Sequence, residues 1–412
     1  MQHPDSILLQ GADTAAVTTV PVPEPSPLAV RYHRTGNLLW VAGTALDLVF
    51  PAVLLFTGLS ARVRRGAARL GRGRWLPTVA VYGATYVLLQ AIVFLPLSWY
   101  AGFVRQHAYG LSTETAAEWL GDWIKAVAIS AAVAALFLWI PYRLLRASPR
   151  RWWLWTGLLT APFTVLAMIV APLWIAPLFD EFGRMRDRAL EQRIHQLAAR
   201  AGIPDSRIFE VRKSDETRRV NAYVTGFGGT KRIVLWDTLV DRMRPEEVAV
   251  VVGHEIGHFV LRHTLVVIAG ATLLVTFSLY VVHRAAGWLI ARHHRRFGFD
   301  RLGDVASLPL LALVANLVML ASSPVALAVS RWQEREADRF ALEITRDNVA
   351  AARTFVRLQQ DNLAVPRTGF LYRVWRSSHP DLADRIEFAN TYRPWARGEP
   401  LRYDDRFRAA RP

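Results

Sequence analysis

Residues 254–258 read His-Glu-Ile-Gly-His. On a helix, two histidines four apart lie on one face, one turn from each other. Both imidazoles then reach one metal ion, and Glu255 beside them can hold a metal-bound water as general base. The surrounding residues favour a helix. Pro245 is followed by Glu246 and Glu247, acidic residues suited to a helix N-terminus, and an apolar stretch runs on to the motif. A catalytic zinc takes three protein ligands and keeps one position open. The metzincin spacing, with its third histidine just downstream, is absent. The next acidic pair is Glu334 and Asp338, within Arg-Trp-Gln-Glu-Arg-Glu-Ala-Asp-Arg-Phe at 331–340. These two are also four apart, so one can ligate while the other orients a ligand histidine. Spacing alone equally fits a solvated charged turn with Glu–Arg pairs.

Such a site must be held by something, and most of the chain is apolar. Of 412 residues, 52% are hydrophobic and 20% charged, and the charges lie between long apolar runs. Six runs approach the roughly 20 residues that span a bilayer: 38–59, 76–104, 124–145, 153–175, 265–282 and 305–329. Trp75, Trp99, Tyr100, Trp139, Trp152 and Trp153 sit near run ends, as in an aromatic belt. Asp47, Gln90 and Asn316 fall inside runs, where interhelical hydrogen bonding is the ordinary role. The formal charge of +16 comes mostly from arginines flanking the runs, which points to a lipid bilayer and away from nucleic acid. The absence of cysteine excludes disulfides, thiolate-held zinc and cysteine nucleophiles.

The expected fold is mainly α: a polytopic membrane helix bundle of about six spans with a soluble α+β zinc-metalloprotease domain. Residues 1–37 read as a polar, mobile tail and 38–177 as four membrane helices. Residues 178–262 read as a soluble segment with a small sheet and the metal-binding helix. Residues 263–330 read as two further spans and 331–412 as a C-terminal segment. Within the soluble segment, 187–201 has a helical pattern. Residues 207–211, 220–225 and 232–236 read as strands, the last two joined by a turn at Gly226-Phe227-Gly228-Gly229.

Several stretches in order resemble the type I CAAX prenyl proteases, which are membrane zinc metalloproteases. They are Gly110-Leu111-Ser112 with Thr115, Trp119 and Asp122; Ile175-Ala176-Pro177-Leu178-Phe179; and Asn221-Ala222-Tyr223. They continue with Lys231-Arg232-Ile233-Val234-Leu235, Gly253-His254-Glu255-Ile256-Gly257-His258, Glu334 with Ala337-Asp338, and Ser378-His379-Pro380 with Arg385-Ile386. The resemblance covers about Phe103 to Ile386. It implies that His254, His258 and Glu334 bind one Zn²⁺ per chain and that Glu255 activates water. Asp338 then supports a ligand, and Arg385 positions His379 or substrate. His379 donates to the oxyanion or the substrate carbonyl. Asn221, Ala222 and Tyr223 form a strand edge that pairs with an extended substrate. The implied substrate is a peptide or protein, prenylated or membrane-associated. Members of that family have seven membrane helices, one more than the runs found here.

The chain is thus expected to be a multi-pass protein of the cell membrane. The arginine-rich loops 60–75, 146–152 and 283–304 would lie in the cytoplasm by the positive-inside rule, which turns the active site outward. The resemblance implies the reverse. Two other functions share these features: quality control of membrane proteins by the same site, or a non-catalytic transporter or scaffold.

Overall fold

The computed structural model describes residues 19–226 and 232–407. Its first half is α1 (Pro27–Phe56), the short amphipathic α2 (Leu59–Leu70), α3 (Trp75–Ala108), α4 (Ala116–Ala147) and α5 (Trp152–Leu178). A soluble unit follows. Then come α9 (His263–Phe297) and α10 (Val305–Thr345). All but α2 contain an 18-residue window of mean hydropathy 1.8–2.4, giving six helices able to cross a membrane. Leu38, Ile92, Leu136, Leu273 and Val325 are exposed on them, as expected of faces solvated by lipid.

The N-terminal tail is shorter than the expected 1–37. Ser26 caps α1 by accepting from the Ala29 amide at 3.1 Å, and Pro27 takes the first helical position. Residues 27–37 add about three turns to the span. Their Arg31, His33 and Arg34 concealed the helix from a search for apolar runs. Residues 19–26 are also tied down. The Val20 amide donates to Asn390 Oδ1 at 3.0 Å, and Gln359 Nε2 donates to the Pro23 carbonyl at 3.1 Å. The remainder of the expected tail, 1–18, lies outside the described residues.

The soluble unit runs β1 (Phe182–Gly183), α6 (Arg188–Arg200), β2 (Arg207–Val211), β3 (Ala222–Thr225), β4 (Arg232–Trp236), α7 (Asp237–Arg242) and α8 (Pro245–Val260). The sheet order is β1-β2-β4-β3, with β2 and β4 parallel and the other pairs antiparallel. This leaves β3 at an edge. It begins two residues later than expected. Of the expected turn, 227–229 lie outside the described residues.

The 330/331 boundary drawn from hydropathy falls inside α10, because helix continues from Leu308 to Thr345 across the loss of apolar character. The polar half packs on α8 through two glycines. A Cβ at Gly257 would stand 3.1 Å from that of Phe340, and one at Gly253 would stand 3.3 Å from Ile344 Cγ2. Phe340 and Ile344 share a core with Ile233, Leu235, Val252 and Ile256. Beyond it α11 (Asn348–Asp361), α12 (Phe370–Trp375) and α13 (Leu382–Thr391) close the unit.

The loop between α3 and α4 docks on the same unit. The Thr113 amide donates to the Glu216 carbonyl at 3.1 Å, and the Arg218 amide donates to the Leu111 carbonyl at 3.0 Å. Docking partly buries Glu114. Burial, with the charges of Glu216, Asp122 and Glu118, pushes its pKa up to about 7. Between the ordinary glutamate value and the raised one, the folded chain holds a proton that the unfolded chain releases. Stability therefore falls as pH rises through that window. Glu114→Gln is expected to raise the apparent Tm at about pH 8 and to leave it unchanged at about pH 4. Thermal melts of both proteins at the two pH values check this.

Candidate active site

Helix α8 presents His254, Glu255 and His258, and α10 presents Glu334 and Asp338. The two histidine Nε2 atoms are 3.1 Å apart. Glu334 places Oε2 3.2 Å from His254 Nε2 and Oε1 3.4 Å from His258 Nε2. A tetrahedral ion with bonds near 2.0–2.1 Å separates its ligand atoms by roughly 3.3–3.4 Å. Glu334 Oε2 is buried and makes no aligned hydrogen bond. A buried carboxylate oxygen with imidazole nitrogens close by but none aligned on it fits a group that binds cations, and the two-histidine, one-glutamate donor set suits zinc.

A second set of contacts holds these groups. His254 Nδ1 donates to Asp338 Oδ1 at 2.8 Å. Arg385 grips the same carboxylate with Nε on Oδ2 at 2.8 Å and Nη2 on Oδ1 at 2.6 Å. Arg385, expected to position His379 or substrate, gives its guanidinium to Asp338 and also lines the cavity that His379 lines. Burial opposes charge on His254, but Asp338 and Glu334 outweigh it and raise its pKa to about 10. Metal uptake must displace that proton. Burial pushes the Glu255 pKa up, and the adjacent histidines pull it down.

His379 reaches the site from the segment before α13. Its Nε2 is 3.1 Å from Glu334 Oε2, and its Nδ1 is 2.8 Å from Ser378 Oγ. Burial lowers its pKa to about 4 despite the charge of Glu334. Half of the side chain is exposed, and the imidazole in its neutral form carries one N–H. Asn221 and Ala222 line a cavity of about 710 Å³ together with His254, Glu255 and His379. Tyr223 is outside that lining. The Trp236 amide donates to the Asn221 carbonyl at 3.1 Å, and Ala222 pairs with Leu235. By alternation, residues 222 and 224 turn their backbone groups away from β4. The Val224 amide is accordingly bonded to Glu255.

A model of peptidase family M48 matches residues 184–393. A metalloprotease of Bacillus subtilis, YhfN, described as uncharacterized, is 35% identical over 89% of this chain and 86% of its own length. The chain belongs to peptidase family M48. A model of the CAAX prenyl protease N-terminal region, described as five membrane helices, matches residues 29–181. Four of the six spans lie there in this M48 peptidase. CAAX prenyl protease 1 of Saccharomyces cerevisiae is 29% identical over 72% of this chain and 69% of its own. The Arabidopsis thaliana homolog of that protease is 32% identical over 72% and 69%. The crystal structure of Saccharomyces mikatae Ste24p superposes with a TM-score of 0.75, covering 87% of each chain at 24% identity. This M48 peptidase is a multi-pass membrane metalloprotease that acts on peptide bonds.

Two features of the M48 site had escaped the sequence reading. His263, the first residue of α9, sets its Nδ1 2.9 Å from His258 Nδ1, opposite the ring nitrogen that faces Glu334. Its signal was a histidine five residues beyond the motif, a spacing that follows neither helix period because Arg262 bends the chain at φ 58°. The other is a set of arginines on the cavity wall, Arg105, Arg219 and Arg376. Arg105 lies over the Tyr32 ring at 3.6 Å and donates to Thr35 Oγ1 at 3.0 Å. Nothing in the sequence near these positions marks them, because α1 brings their partners.

Proposed function

We propose that this membrane metalloprotease is a zinc endopeptidase that cleaves an extended segment of a membrane-associated protein. His254, His258 and Glu334 would hold one Zn²⁺. When bound, the metal polarises the scissile carbonyl and makes water more acidic. Glu255, half-buried and beside both histidines, takes the proton of the attacking water and passes it to the leaving amine. The neutral His379 side chain donates to the oxyanion as charge develops there. Asp338, held by Arg385, fixes the ring plane of His254, and His263 does the same for His258. The backbone carbonyls of residues 222 and 224, on the free edge of β3, would accept from an extended substrate held by its main chain.

The observation that carries this reading is the His254–His258–Glu334 triangle with Glu255 facing a strand edge across one cavity. That some relatives are named CAAX prenyl proteases supports a prenylated C-terminal peptide as one such substrate. The arginine excess sits at helix ends, so nucleic acid has no part in the reading. The test is peptide cleavage by the purified protein in detergent, on a farnesylated peptide and on an unfolded membrane protein. Dialysis against chelator is expected to abolish cleavage, and one equivalent of Zn²⁺ per chain is expected to restore it. Cleavage that survives complete metal removal would refute the assignment.

A further inference from the structure

A second and larger cavity, about 1170 Å³, lies at the other end of the bundle. It is framed by the end of α3 that begins at Trp75, whereas the far end of α3 leads to the loop docked on the soluble unit. Helix α2, the last turn of α4, the start of α5 and the C-terminal half of α9 complete its wall. The surrounding segments 59–75, 143–152 and 283–304 contain fifteen arginines and two aspartates.

Three arginines reach the cavity itself. Arg64 is paired with Asp304, whose carboxylate also caps the following turn through the Ala306 amide at 2.9 Å. Arg146 lies over the Trp75 ring at 5.0 Å and has no carboxylate partner among the described residues. Arg301 has none either. The remaining acid is Asp300, so positive charge prevails in the lining. Deeper walls are apolar, with Val79, Leu145 and Ile290. There is room within: a Cβ at Gly287, in the C-terminal half of α9, would meet nothing within 4 Å. Leu70 and Leu76 are exposed on either side of the α2–α3 turn, at the level of the helix ends.

We propose that this cavity binds the headgroup of an anionic phospholipid, with the phosphate between Arg146 and Arg301 and the first acyl carbons against Val79 and Ile290. The ligand chemistry is a phosphate carried on an apolar tail. Basic pockets between membrane helices recognise lipid headgroups in this way, where low dielectric strengthens each arginine contact. Inorganic phosphate shares the charge but would leave the apolar wall wet.

The experiment compares the full-length protein in nanodiscs of phosphatidylglycerol and of phosphatidylcholine, and in detergent with inorganic phosphate. The expected result is a Tm several degrees higher in phosphatidylglycerol, with no shift from phosphate. Native mass spectrometry should show about one phosphatidylglycerol retained per chain. Arg146→Gln with Arg301→Gln should weaken that retention about tenfold or more, as should the space-filling Gly287→Phe. Arg65→Gln with Arg69→Gln, on the exposed face of α2, should leave it intact and so distinguishes the cavity from diffuse surface charge. Equal stability in the two lipids would overturn the proposal. So would full retention by both cavity variants, equal loss in the α2 variant, or a shift reproduced by phosphate alone.

Discussion

Replacing Glu255 by glutamine is expected to lower kcat for peptide cleavage by about 10²–10⁴-fold while the protein keeps one metal per chain. The amide matches the carboxylate in shape and still fills the space beside His254 and His258. What it lacks is a site to accept a proton. Glu255 is not among the three groups that face one another at 3.1–3.4 Å, so its loss leaves the donor set whole. Metal analysis alongside steady-state kinetics separates the two effects. Unchanged cleavage with retained metal would remove Glu255 from the mechanism. Loss of metal together with activity would show that it holds the site together instead.

The second large effect is expected at Asp338. Its carboxylate is 3% exposed and receives His254 Nδ1 and two nitrogens of Arg385, itself 7% exposed. Asp338→Asn leaves the guanidinium buried without a counter-charge, which destabilises a folded chain by about 3–5 kcal/mol. It also replaces the charged acceptor that fixes the His254 ring by a neutral amide oxygen, a change expected to weaken metal affinity by about 10–100-fold. Thermal melts measure the first effect and competition with a fluorescent chelator the second. A double variant, Asp338→Leu with Arg385→Leu, removes both charges together. It should recover much of the stability and none of the metal affinity. Recovery of both would mean that Asp338 acts on the fold alone.

The sequence made some of this legible for identifiable reasons. Apolar runs reveal spans because lipid demands uninterrupted hydrophobicity, so six were visible. Strands 207–211 and 232–236 were visible as short runs of β-branched and aromatic residues. The helical spacing of His254 and His258 is local, and so is that of Glu334 and Asp338. That the two pairs meet is not local. It depends on Gly253 and Gly257 letting α8 approach Phe340 and Ile344. Residues 27–37 were misread because helix there is polar and is kept by a cap and by packing. The Arg385–Asp338 pair was not legible because its members lie 47 residues apart, on different helices. The Arg105–Tyr32 stack joins elements separated by 73 positions, beyond any pattern in the chain.

The run of α10 through residue 345 has a mechanical meaning. The rod is about 60 Å long, and the carboxylate at residue 334 rides on it well past the apolar portion. The opposing helix α8 passes into α9 after a single bent residue, Arg262. Each ligand-bearing arm is therefore the handle of a rod immersed in lipid. Bilayers of different thickness tilt such rods by different amounts. A change in acyl-chain length that tilts either rod would shift residues 254–258 and residue 334 relative to one another.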